Sequence, residues 1–141
     1  MAYSTLDDQK KITPQETIRQ LVDDENVGSL TPTDVLARFE EVRDEADAEI
    51  DPYLTSGGYA TPLSPVLPVI RAASCTITKY RLFLRRDMVP EAVRNAYKDT
   101  IRLLEKIAAG DISLKIEDED DAPSAGLGMS VVTSSRFDTS T

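Results

Sequence analysis

A mainly α-helical protein is the fold class this sequence predicts, and three observations carry it. Apolar residues recur at steps of three and four over three long windows. Pro stands at helix starts in Thr13-Pro14-Gln15-Glu16, in Thr31-Pro32-Thr33-Asp34 and at Pro90. A single run, Ile112 to Ile116, alternates with the period of a strand. The 141 residues fit one domain, and 40% hydrophobic content with 6% aromatics and no Trp supports a modest core. Composition divides the chain into an N-terminal arm 1–12, a helical body 13–116 and an acidic, Ser/Thr-rich C-terminal arm 117–141.

Thr13-Pro14-Gln15-Glu16 reads as a capping box with Thr13 as N-cap, predicting a short helix to about Asp24. Gly28 and Ser29 break it, and Thr31-Pro32-Thr33-Asp34 repeats the start signal. Val35, Phe39, Val42, Ala46 and Ile50 then mark the buried side of a first long helix, with Arg38, Glu41, Asp44, Glu45 and Asp47 on the other. Pro52 is expected to kink or end it, because proline removes an interior hydrogen bond. Thr55 to Pro65 is a loop on every local signal.

Val66, Ile70, Ala73, Ile77, Tyr80 and Leu84 define a second long helix, widened by Val69, Cys75, Leu82 and Phe83. A third opens at Pro90, carries Val93, Tyr97, Ile101, Leu104 and Ala108, and stops at Gly110. These last two are expected to pack antiparallel through Ile70, Ile77, Tyr80, Tyr97, Ile101 and Leu104. Beyond them, alternation puts Ile112, Leu114 and Ile116 on one face of a short C-terminal β-strand. No comparable second run exists to pair with it, so the partner is expected in an adjacent subunit or neighbouring protein. The competing arrangement folds the segment back on its own helices.

Chemistry is narrowed sharply by what is missing. With no His and the single Cys75, imidazole acid–base catalysis, disulfide frameworks and multi-cysteine metal sites are excluded. Asp23 to Gly28 echoes a calcium loop, but Val27 takes its fifth place and Asp34 its twelfth, so an inter-helix turn is the reading. The acidic run Glu117 to Asp121 lacks the loop Gly and reads as solvated linker. Ser56-Gly57-Gly58 lacks the Lys-Ser/Thr of a phosphate loop, and Cys75 reads as a buried structural thiol. No catalytic residue, metal or cofactor is expected.

The formal charge is −9, of which −5 lies beyond Ile116. Such a balance disfavours nucleic acid as a direct ligand. The N-terminus lacks the basic and apolar regions of a secretory signal, and no apolar run approaches the roughly 20 residues of a membrane span, so a soluble protein made inside the cell is expected. One basic feature stands out: Arg94, Lys98, Arg102 and Lys106 line up at i, i+4. Like charges at that spacing mildly destabilise an isolated helix. Either Glu91, Asp99 and Glu105 neutralise them, or the row docks on acidic neighbours. Arg71, Lys79, Arg81, Arg85 and Arg86 make the preceding helix basic as well. The paired acids Glu40-Glu41 and Asp44-Glu45 read as a solvated helix face.

Ala46 to Leu54, Tyr59 to Leu63, Ala73 to Leu82 and then Pro90 to Arg94, Tyr97, Leu104 and Ile107 to Leu114 stand in an order and spacing that resemble a family of tailed-phage structural proteins from Mu-like head gene clusters. The resemblance covers about Thr31 to Leu114. It implies a small helical head-completion or head–tail connector (adaptor) subunit without catalysis, assembled as a homo-oligomeric ring, by resemblance a dodecamer. Its implied partners are the portal protein and a tail-side stopper or tail-terminator protein, with DNA passing through unbound and no membrane involved. The implied location is the virion neck, after synthesis in the bacterial host cytoplasm. The subunit contacts expected from the residues are Arg94, Lys98, Arg102, Lys106, Ile112, Leu114 and Ile116.

Two departures mark the stretch: Pro52 stands where the family has a small helix-compatible residue, and Gly57-Gly58 replace a segment that usually carries an Arg. The exit of the first long helix is therefore expected to differ. Two other classes fit less of the chain. A small acidic phage-encoded inhibitor would use the C-terminal arm to bind a basic host protein. A helix-turn-helix regulator would need a basic recognition helix, which the net charge opposes.

Overall fold

The computed structural model describes residues 2–30 and 32–115. Its elements are α1 (Leu6–Lys10), α2 (Gln15–Val22), α3 (Thr33–Ser56), α4 (Pro68–Leu84) and α5 (Glu91–Ala109). The mainly α class is as expected, and there is no strand among the described residues.

The three long helices form the frame, each in contact with the other two. Tyr80 near the end of α4 stacks on Tyr97 near the start of α5, with ring centroids 3.9 Å apart and planes 10° from parallel. That pairing sets α4 and α5 side by side and antiparallel through a short connection. One apolar cluster fills the space between the three, built from Ala46, Ile50, Leu54, Ile70, Ala73, Ile77, Leu104 and Ile107. A second lies beside it, where Ile18, Leu21 and Val22 of α2 meet Val35, Phe39 and Val42 of α3 and Leu82 of α4. α4 therefore serves two cores. Its buried side turns toward Leu82 at the end, leaving Leu84 46% exposed, whereas simple spacing placed Leu84 inside.

Pro52 does not end α3, which runs through it to Ser56. The missing amide would have bonded the carbonyl of Ala48, an exposed residue that water can serve, while Ile50 and Leu54 on either side are fully buried. Burial of those two outweighs one lost bond. The chain then leaves at Gly57, where an added Cβ would stand 2.7 Å from the Ile107 carbonyl oxygen. Only glycine lets the end of α3 approach the end of α5 so closely, which gives the Gly57-Gly58 departure its structural meaning. Gly110 closes α5 in the left-handed conformation at φ 85°, as the stop signal predicts.

Thr13 is not the N-cap of α2, and Thr31 lies outside the described residues. Pro14 and Pro32 themselves occupy the N-cap positions of α2 and α3, in extended conformation and without side-chain caps. A side-chain capping box does exist, at Thr5 and Asp8 of α1. It belongs to the segment 1–12 that composition marked as an arm. In the structure this segment is packed onto the body: Tyr3, Ser4 and Gln9 are all buried.

The C-terminal β-strand is corrected. Residues 113–115 are irregular, Ile112 and Leu114 are half-buried against the first core, and the Leu114 amide donates to the Tyr59 hydroxyl at 2.7 Å. Alternation shows only that one face is apolar, and here that face finds its cover on the chain's own helices. Ile116 and the arm 117–141 lie outside the described residues.

Candidate interaction surfaces

Three groups of polar residues stand out: a buried clasp under the N-terminal segment, a set of ion pairs at the α2–α3 turn, and two charged outer faces.

The clasp centres on Asp47, buried on α3. Its carboxylate accepts from the Tyr3 amide at 3.0 Å and from the Ser74 hydroxyl at 2.6 Å, and Ser74 in turn shares a hydrogen bond with Ser4. Tyr3 reaches further, donating to Asp51 at 2.6 Å and accepting from the Leu63 amide at 2.9 Å. Gln9 donates to the Cys75 carbonyl and to Thr13. The N-terminal segment is thus tied to α3, α4 and the loop between them. Composition could not reveal this, because every bond of the clasp except Gln9–Thr13 joins residues far apart in sequence.

Burial pushes the Asp47 carboxyl above its ordinary value of 3.8, against the opposing pull of the Ser74 and Tyr3 bonds. A carboxyl whose folded value is raised binds its proton more tightly in the native state. Its stabilising contribution is complete below pH of about 4 and is lost as pH rises through the folded value. Asp47→Asn keeps one of the two oxygens that accept from Tyr3 and Ser74, which lowers stability by the same amount at every pH, and it cannot ionise. Its urea midpoint, measured against that of the natural chain, should therefore climb between pH 4 and pH 7, and a flat difference would show that Asp47 does not titrate there.

At the α2–α3 turn, Asp23 accepts from the Val27 and Gly28 amides at 2.8 and 2.6 Å and from Arg19 at 3.0 Å. Those amide bonds, Gly28's first, hold its carboxyl below the usual range. Asp24 meets Arg38, Arg85 and Arg86, and the Arg85 contact chiefly lowers its carboxyl as well. The inter-helix turn reading is met positively, since both carboxylates serve to close the turn and to pin α2 to α3 and α4. Much of the basic character of α4 is spent the same way: Arg81 pairs with Glu45 and Glu49, and Glu49 also accepts from Tyr97. Cys75 is buried and free, with burial raising its thiol above the ordinary range.

The outer faces are different in kind. Arg94, Lys98, Arg102 and Lys106 are all exposed along α5. Arg102 pairs with Asp99 at 3.0 Å, whereas Arg94, Lys98 and Lys106 have no ion pair among the described residues. Glu91 and Glu105, which could have neutralised them, have none either. On α3, Ala37, Glu40, Glu41, Asp44, Glu45 and Ala48 line a shallow, open depression along one exposed side. Of the expected contact residues, the structure groups the four cations on one surface, sets Ile112 and Leu114 apart on the chain's own core, and leaves Ile116 outside the described region.

No helix is long and apolar enough to cross a membrane, and no group of three or more potential metal-ligating side chains occurs among the described residues. The fold defines a small α-helical protein with oppositely charged outer faces on two of its long helices. The chain belongs to the family described as Bacteriophage Mu, Gp36, whose profile matches residues 3–133. A curated relative, the Mu-like prophage FluMu protein gp36 of Haemophilus influenzae, is 40% identical over 85 residues, covering 60% of this chain. The match spans 58% of that relative's length.

Proposed function

We propose that this protein is a structural virion subunit of the head–tail connector class, forming a ring between the portal and the tail-side neck proteins and performing no catalysis. The observation that carries the reading is a Mu-like phage protein with a helical body whose α3 and α5 turn opposite charges outward. A connector needs faces for its neighbours, and surfaces of opposite sign steer and orient such contacts. A net-negative subunit also suits a passage for DNA, since it offers little to hold phosphates.

The test is assembly. Purified chain mixed with portal protein should shift in size-exclusion chromatography to the position of the portal complex. Particles from a phage lacking this chain should be DNA-filled heads without tails by electron microscopy. Tailed infectious particles in its absence would reject the connector role. Capture of a basic host protein, with no portal binding, would favour the inhibitor class instead.

A further inference from the structure

We propose that the cationic row of α5 docks onto the acidic face of α3 on a second copy of this chain, in a head-to-tail contact. The inference deepens the connector reading and rests on it for closure of successive contacts into a ring. It starts from an imbalance within the chain. Arg94, Lys98 and Lys106 lack ion pairs among the described residues, and so do Glu40 and Glu41 across on α3. Asp44 and Glu45 do pair, with Arg43 and Arg81, yet their side chains remain 69% and 53% exposed and can serve a second cation. Each face has charge to spare.

The two faces match in length. Arg94 to Lys106 spans twelve helical steps, about 18 Å, and Ala37 to Ala48 spans eleven, about 17 Å. Ala37 and Ala48 bound the acidic depression with small side chains, so a second helix can lie close along it. Within one chain the faces cannot meet. α3, α4 and α5 each contact the other two, so the outward side of α5 turns away from α3. A contact between two different faces is heterologous, and repeating it builds a ring or an open chain rather than a closed dimer. Like charges at i, i+4 on α5 then have a partner that offsets their mutual repulsion.

The contact is electrostatic at an exposed surface, so it is weak and sensitive to salt. In sedimentation velocity at high protein concentration, the natural chain should associate at about 0.01 M salt and be monomeric at about 1 M, where screening acts within a few ångströms. Lys98→Glu with Arg102→Glu should abolish that association, and so should Glu40→Lys with Glu41→Lys. All four substitutions lie on exposed positions and should leave the helical circular dichroism unchanged. Equal mixing of the two folded variants should restore association, as should a chain carrying all four changes. Reversed variants that still associate, or mixtures that stay monomeric, would overturn the proposal.

A second measurement fixes the geometry. A chain carrying both Ala48→Cys and Asn95→Cys, treated with a short bis-maleimide, should give a ladder of dimers, trimers and higher species, since buried Cys75 is shielded. A product that stops at dimer, or no product, contradicts a head-to-tail contact. Portal binding with no ladder would remove this contact and keep the connector reading. A ladder with no portal binding would do the reverse.

Discussion

Tyr3→Ala should unfold this protein more readily than any change on its exposed faces, lowering stability by about 3–5 kcal/mol in urea denaturation. The ring is 2% exposed, within the first core, and its removal leaves a void among Leu54, Leu63 and Ile70 on a frame set by longer helices. The hydroxyl adds a polar cost, because the Leu63 amide and the Asp51 carboxylate both lose their partner. Tyr3→Phe separates the two effects. It keeps the ring, so its cost should fall to about 1–3 kcal/mol, the penalty of unpaired buried polar groups. Burial, seconded by Asp51, also pushes the Tyr3 phenol up to about 12 from 10.0, so its contribution holds below pH 10 and is lost as pH rises toward 12. The natural chain should therefore lose more stability than Tyr3→Phe over that alkaline range. A Tyr3→Ala chain as stable as the natural one would show that the N-terminal segment is not part of the core.

Ile77→Ala should cost about 2–5 kcal/mol by opening a cavity at the centre of the frame. Ile77 is fully buried on α4, in the cluster that joins it to Ala46 and Ile50 of α3 and to Leu104 and Ile107 of α5. Because all three long helices meet around this cluster, none can move in to fill the gap without losing contacts elsewhere. An Ile77→Val change removes one methylene group and should cost only about 0.5–1.5 kcal/mol. The ratio between the two variants, read from thermal melts, checks that the loss follows volume. A melt unchanged by Ile77→Ala would remove the proposed core.

These two residues differ in how they could be found. Ile77 stands in a helical series with Ile70, Ala73 and Tyr80, and that series reports burial on one side wherever the helix packs. Tyr3 has no series. It sits three residues before the first residue of the short helix α1, in a segment too brief for periodicity, and its partners lie 44, 48 and 60 positions away. The Thr5 and Asp8 capping pair was the one local signal that the segment is structured.

The charged faces show the same division. Spacing alone put Arg94, Lys98, Arg102 and Lys106 on one side of a helix, because α-helical geometry repeats every 3.6 residues regardless of surroundings. Whether their neighbours neutralise them depends on side-chain reach, and only Asp99 does so.

What the sequence determined by itself is the helical class, the three long helices, the Gly110 stop and the grouping of charge, all products of local geometry and periodicity. What only the tertiary structure decided is where each apolar face finds its cover. Pro52 is carried inside α3 because Ile50 and Leu54 are buried around it. Leu82 rather than Leu84 is buried because α2 brings a second core to the end of α4. Ile112 and Leu114 lie on the chain's own helices, because an alternating segment is satisfied by any apolar surface it can reach, and the first core is the one within reach.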